Sequence, residues 1–324
     1  IANKIALDQI DSGIGGGVDS ISDAPIVYND NLRKILLKSF TGKSLKEKLV
    51  PWSRMRPKLL KPKLPGVKEP RTGLSMGEST EIIAKDYAIS RHDQDTLAIE
   101  SHAKASRAYD EGFYKDLVVP FEGVEKDNII RHDSTIQKLA SLKTVFDKGV
   151  NATLTPGNST SLTDGSAAVL LASDEWANKN NLDIESYITS FEIAAVNYID
   201  NEGLLMAPAY AVSEMLKKQN LNLQDFDFYE IHEAFAAQTL ATINAWKSEE
   251  FCKSKLGREK VMGSFDHNKL NVKGGSLAIG HPFAATGARI VATLSKLLKD
   301  NGGGKGLISI CTAGGMGITA ILER

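Results

Sequence analysis

Beyond Thr286 the apolar residues Ile290, Val291, Leu294, Leu297 and Leu298 share one face at helical spacing, and the glycines at 302–304 stop the run. The block at 307–311 that follows is short and apolar. It predicts a buried strand delivering Cys311 to the turn A-G-G-M-G at 313–317. Upstream, the pattern predicts a strand at 187–193, a helix at 209–218, a strand at 226–230 and a helix at 234–245, which implies an α/β core with a mixed sheet. Nearer the N-terminus, residues 1–7 have helical spacing, and 12–20 read as a glycine-rich strand and turn. Residues 81–87 and 92–109 are helix-periodic, and 167–171 is a buried strand re-entered from a polar turn.

Between these elements lies N-V-K-G-G-S-L-A-I-G-H-P-F-A-A-T-G-A-R, residues 271–289. Its four glycines allow close backbone approach, and Pro282 fixes the turn directly after His281. The loop feeds a helix N-terminus, whose free N–H groups suit developing negative charge. A His and a Cys at glycine-rich turns of adjacent α/β units form a candidate acid/base pair.

A length of 324 residues with 42% hydrophobic content supports a large core and two or three domains. Lys plus Arg number 39 against 40 Asp plus Glu, and this balance argues against a nucleic-acid binder. The charge is unevenly spread: residues 31–68 hold twelve basic side chains and the single acid Glu47, so the rest of the chain carries −12. With Leu37, Phe40, Leu45, Leu49 and Trp52 interleaved, 31–68 suits an anionic membrane surface, an acidic partner or the phosphates of a ligand. A solvated face with a small apolar underside is the rival reading. The given residues show no membrane-length apolar run and no charged-then-apolar leader pattern, so neither a membrane span nor a secretory signal is expected, and two cysteines point to a reducing compartment. No metal site is expected: H-E-x-x-H fails at Ala236 and no paired-Cys motif occurs. The glycines at 13, 15, 16 and 17 miss the dinucleotide spacing at Val18.

The segment G-G-S-L-A-I-G-H-P-F-A-A-T-G-A-R followed by C-T-A-G-G-M-G resembles the two C-terminal signatures of thiolases, enzymes that cleave or form 3-ketoacyl-CoA. G-G-V-D-S-I-S, M-G-E-S-T-E, N-S-T-S-L-T-D-G-S-A-A-V and I-H-E-A-F-A-A-Q agree in order. His in H-E-A-F, where many thiolases have Asn, resembles the fatty-acid-oxidation-complex branch, including the trifunctional-protein β-subunit. The resemblance implies an α/β thiolase fold, with two similar halves in layered α-β-α-β-α packing and an inserted loop domain. The expected boundaries are 1–21 for a remnant of the N-terminal half, 22–150 for the loop domain, 151–180 for the end of that half and 181–324 for the C-terminal half.

Laid on the thiolase pattern, the nucleophilic Cys falls about ten positions before Ile1, so the N-terminal half is expected to be incomplete and the given chain inactive alone. By the same resemblance His281 takes the nucleophile's proton, Cys311 is the acid toward the departing enolate, and His232 helps form the oxyanion site. A thiol suits that task because its reference pKa of about 8.5 can be tuned toward neutrality. Thr160, Arg131, Ala313 and Gly314 are the expected CoA or substrate contacts; for Arg131 a surface salt bridge is the rival role. Cys252, His92, His102, His132 and His267 are read as structural. CoA enters as a substrate, with no resident cofactor. The implied partners are acyl-CoA, a second copy of the chain and a hydratase/dehydrogenase α-subunit. The bacterial cytoplasm is preferred to the mitochondrial matrix. A non-catalytic thiolase-like scaffold or acyl-CoA-binding subunit is the alternative function, and a biosynthetic condensing relative is a weaker one.

Overall fold

In the computed structural model, which describes residues 1–200 and 202–324, the strands are β1 Ser12–Asp19, β2 Gly165–Ala172, β3 Tyr187–Ala195, β4 Phe228–Ile231, β5 Lys305–Thr312 and β6 Met316–Glu323. β1 and β2 form an antiparallel pair, while the other four make a mixed sheet in the order β3-β6-β5-β4. Among the described strands only the β4–β5 pair is parallel, and the crossover between them carries the helices Ala236–Lys247 and Thr286–Asp300 and the 271–289 loop. β6 was not anticipated from the sequence. It forms because the glycine turn after Thr312 reverses the chain, so that Thr312 pairs with Met316 and the apolar positions of 318–322 find the sheet.

The main core lies between the mixed sheet and the helices Ala207–Gln219 and Ala236–Lys247. Trp246, Tyr229 and Phe226 are its largest buried side chains. Trp246 sits fully buried because its indole N–H has a partner, the carbonyl of Ala209 at 3.2 Å. The amphipathic helix Thr286–Asp300 forms as its spacing predicts, burying Ile290, Leu294, Leu297 and Leu298. The helix Met76–Asp86 begins five residues before the predicted start. Its first turn is set not by apolar period but by a capping box between Ser75 and Glu78.

The expectation of a buried strand at 167–171 is corrected. Side chains along β2 alternate, and Leu170 on it is 51% exposed, as Ile14 and Val18 on β1 are at 73% each. The run A-A-V-L-L is apolar on both faces, yet a strand turns alternate residues outward, and one face packs against the 286–300 helix and the Ala2–Ala6 helix while the other is left exposed.

By contacts the chain divides into one unit of Ile1–Asp19 with Lys68–Arg324 and another of Ser20–Val67. The second unit holds the helix Asp30–Thr41, with Leu32, Ile35 and Leu59 as its small core. Among the described residues, no helix is long and apolar enough to cross a membrane.

Candidate active site

β4 and β5 run parallel with Ile231 opposite Ser309, so their carboxyl ends open on the same side, where α/β sheets gather binding groups. His232 follows β4 directly, and its backbone N–H donates to the Ser309 carbonyl at 2.9 Å. Cys311 lies two residues past Ser309 on β5. Its thiol faces Gln238 Oε1 at 3.5 Å, and the Gln238 amide is oriented in turn by Leu205 O at 3.3 Å and Thr242 Oγ1 at 2.9 Å.

The 271–289 loop is held down by a buried carboxylate. Glu233 accepts from Ser101 Oγ at 2.6 Å, Asn271 Nδ2 at 2.6 Å and the Leu277 N–H at 3.3 Å, while Asn271 also bridges both backbone groups of Ile231. Gly275 is required at this approach, since a Cβ there would stand 2.3 Å from the Glu233 carboxylate. Burial raises the Glu233 pKa, and the Ser101 and Asn271 hydrogen bonds oppose the rise. Residues 158–161 then stitch the two motif turns together. Ala236 N–H donates to Asn158 O and Thr160 N–H to Ala234 O, both at 3.0 Å, and His281 N–H donates to Ser161 O at 3.0 Å. The Thr160 hydroxyl donates to the Ser276 carbonyl at 2.6 Å.

At the top of this frame His281 follows Gly280, whose φ of +94° a side chain would strain. The His281 and His232 rings lie 4.3 Å apart between centroids. The Thr286 hydroxyl donates to Pro282 O at 3.0 Å and lies 2.7 Å from His281 Nδ1. With the Thr286 proton directed to Pro282 O, Nδ1 is the nitrogen that carries the ring proton and the Nε2 lone pair is left as an acceptor. His232 Nδ1 meets Ser276 Oγ at 2.9 Å, and its buried Nε2 has no protein partner among the described residues. Burial, with Arg289 assisting, pulls His281 down to about 4. Burial also holds His232 well below the ordinary imidazole range, helped by His281 and Arg289. Both rings are therefore neutral near pH 7.

The thiol of Cys311 departs from expectation. Burial pushes it up to about 12 rather than toward neutrality, with its own backbone N–H opposing only in part. The reason is geometric: Ala313 and Gly314 sit exposed at the β5–β6 turn, whereas Cys311, still on β5, is buried. Cys311 is thus a protonated thiol, an acid in waiting rather than a thiolate. Cys252 is buried elsewhere, its sulfur 3.3 Å from Trp246 O.

The structure brings His232, His281 and Thr160 into one hydrogen-bonded frame and ties Cys311 to it through the helix of Gln238. Arg131 stands apart and exposed, its backbone N–H donating to His102 Nδ1 at 3.2 Å, on a shallow cavity of about 440 Å³ lined by residues 128–133. A larger cavity of about 730 Å³ runs behind the loop, touching Gly16, Thr163, Gly280, Pro282 and Arg289. Among the described residues no cluster of three or more His, Cys, Asp or Glu could hold a metal. Sequence reasoning missed Gln238, Ser276, Thr286 and Arg289 as site residues, although all four lie inside the motif stretches, and it weighed Glu233 only as a metal-site residue. Polar residues in a glycine-rich motif were the available signal.

Two family models match, "Thiolase, N-terminal domain" over residues 1–175 and "Thiolase, C-terminal domain" over 182–324. The 3-ketoacyl-CoA thiolase of Yersinia pestis (strain Pestoides F) is 42% identical over 329 residues, covering 100% of this chain and 75% of the relative. Among solved structures, the Bacillus anthracis acetyl-CoA acetyltransferase superposes with a TM-score of 0.76 at 29% identity, covering 99% of this chain and 73% of that one. The human mitochondrial 3-ketoacyl-CoA thiolase in complex with CoA gives 0.77 at 28% identity, with 99% and 73% coverage.

Proposed function

The chain belongs to the thiolase family, and from that premise we propose that it is a 3-ketoacyl-CoA thiolase of fatty acid β-oxidation, an acyltransferase with CoA as substrate. The observation that carries this reading is the pair of neutral imidazoles 4.3 Å apart, with His232 at the carboxyl end of β4 and the protonated, buried Cys311 near the carboxyl end of the parallel neighbour β5.

Cleavage needs a thiolate to attack the keto carbon, a donor for the resulting oxyanion, and an acid for the leaving enolate. His281, neutral with its Nε2 lone pair free, takes the proton of the attacking thiol. His232 Nε2 and the backbone N–H near Ala313 receive the oxyanion. As the bond between the keto carbon and its α-carbon breaks, Cys311 gives its proton to the acetyl-CoA enolate. That leaves Cys311 a thiolate and His281 protonated, and the proton passes from His281 to Cys311, which restores both. Neutral His281 then deprotonates incoming CoA, whose thiolate attacks the acyl thioester; the shortened acyl-CoA leaves and His281 returns the proton to the carrier thiolate. Since Cys311 starts protonated, the cleavage direction finds it ready, while condensation must first ionise it.

Neither cysteine here suits the acyl carrier: Cys252 is buried away from the site and Cys311 is committed to proton transfer. We propose that the carrier is a Cys upstream of Ile1 and that the 324 residues alone do not turn over. The same observation favours the second reading, a non-catalytic acyl-CoA-binding subunit. CoA is proposed to meet Thr160, Arg131, Ala313 and Gly314. The proposed division is 1–21, 22–150, 151–180 and 181–324, with 22–150 as the loop domain. A second copy of the chain and a hydratase/dehydrogenase α-subunit are the proposed protein partners, and a bacterial cytoplasm the proposed compartment. Within Ser20–Val67, Phe40 at 86% exposed, Leu45 and Leu60 stand in solvent among the basic residues, which supports contact with an anionic membrane surface.

The test is CoA-dependent cleavage of a four-carbon and a sixteen-carbon 3-ketoacyl-CoA by this chain and by a version extended through its native upstream sequence. Cleavage by the extended version alone is the expected result. A folded extended version that binds acyl-CoA but stays inert with the α-subunit present would establish the second reading.

A further inference from the structure

Two imidazoles that differ only in which nitrogen carries the proton can serve opposite ends of one reaction, and the hydroxyl beside each decides the matter. Ser276 is fully buried and touches two groups through its single Oγ. Arg289 Nη2 donates to it at 2.8 Å, and His232 Nδ1 lies 2.9 Å away. A guanidinium cannot accept, so Ser276 must be the acceptor toward Arg289. Its own proton then has one acceptor among the contacts of Oγ, the His232 Nδ1 lone pair. The reverse assignment, with Nδ1–H donating to Ser276, leaves a buried hydroxyl proton unpaired. It also leaves the His232 ring presenting a lone pair, not a donor, at Nε2.

We propose that Arg289 and Ser276 are positioning residues that fix His232 as the Nε2–H tautomer, so that His232 donates into the site while its neighbour His281 accepts. The relay reads Arg289 Nη2–H to Ser276 Oγ, then Ser276 Oγ–H to His232 Nδ1. His232 Nε2, buried and unpartnered within the protein, is where the donated proton emerges. The opposite assignment holds at His281 because Thr286 sends its hydroxyl proton to Pro282 O and must accept from Nδ1. Both rings stay uncharged near pH 7, burial being the main cause, with Arg289 acting on both and His281 on His232. The Arg289 charge therefore serves twice, orienting a hydroxyl and discouraging protonation of the imidazole behind it. The use of that donor, toward an oxyanion, rests on the thiolase reading; the tautomer itself does not.

The experiment is histidine-selective heteronuclear NMR of the isotope-labelled chain near pH 7. The His232 signals are assigned by their loss in His232→Asn, and those of His281 serve as an internal control. In the unaltered chain His232 is expected as a single tautomer with Nε2 protonated, and His281 as a single tautomer with Nδ1 protonated. Ser276→Ala is expected to remove the preference at His232, giving an averaged or mixed pattern, while His281 keeps its own. Arg289→Met should do the same, because the freed Ser276 oxygen can then accept from Nδ1–H. The proposal is overturned if His232 in the unaltered chain carries its proton on Nδ1 or populates both forms. It is equally overturned if Ser276→Ala leaves the Nε2–H form fixed. If a variant also scrambles His281, the loop has collapsed and the unaltered chain alone decides. No turnover is required, so the predicted tautomers in this chain together with no thiolysis by the upstream-extended chain would sink the functional reading and leave this one standing.

Discussion

Around Glu233, side-chain polarity is sunk into the protein and paired: Ser101, Asn271 and the Leu277 N–H converge on one buried carboxylate. Within Ser20–Val67 the order is inverted, with Phe40, Leu45, Leu49 and Leu60 in solvent and Asp30 paired with Arg33 and Lys63 from a crowd of cations. The first arrangement stabilises a single geometry, which is what proton transfer between fixed groups requires. The second leaves apolar area and positive charge available to something outside the chain. Burial thus separates the region proposed for chemistry from the region proposed for contact.

That contrast can be broken in several ways. Cys311→Ala in a turnover-competent, extended chain should lower thiolysis by roughly 10²- to 10⁴-fold, the usual worth of a positioned acid, with the fold intact by circular dichroism. A loss under tenfold would remove Cys311 from its role. Glu233→Ala should destabilise by about 3 kcal/mol or more, read from denaturant midpoints, because it strands Ser101, Asn271 and the Leu277 N–H in a buried place.

Acid should act on the same region. The folded pKa of His281, about 4, lies below the unfolded value near 6.5, so the unfolded chain binds the extra proton. The stability tied to neutral His281 is complete above roughly pH 7 and is lost as pH falls through 6.5 toward 4, by about 3 kcal/mol in all. His281→Gln should flatten that slope in a urea titration series. Smallest of all on the fold, Phe40→Ser with Lys34→Glu and Lys38→Glu should move stability by only about 0.5 kcal/mol. The same changes should abolish salt-sensitive sedimentation with phosphatidylserine vesicles. Unchanged sedimentation would return 31–68 to a plain solvated face.

Much of the C-terminal half was legible because its apolar spacing is unambiguous. Ile290, Leu294 and Leu298 name a helix face on sight, and Leu307 to Cys311 can hardly be anything but a strand. The positions of His281 and Cys311 at glycine turns were readable for the same reason. β6 escaped notice because Gly317, just past Gly314 and Gly315, reads as a continuing turn, and the exposure of β2 escaped because an unbroken apolar run does not say how many faces are covered. Ser276, Thr286 and Arg289 escaped as site residues because their roles are defined by what lies across space, in His232, Pro282 and Ser276. The acidity of Cys311 could not be read from its turn, since the residue lies buried on β5 rather than on the turn.

The central claim, that Cys311 moves the proton at the α-carbon within a frame set by His232 and His281, is tested most directly by solvent deuterium exchange into the methyl group of acetyl-CoA. The extended chain should catalyse that exchange, and Cys311→Ala should abolish it while acetyl-CoA still binds. Undiminished exchange in Cys311→Ala would contradict the account, because another group would then be carrying the proton.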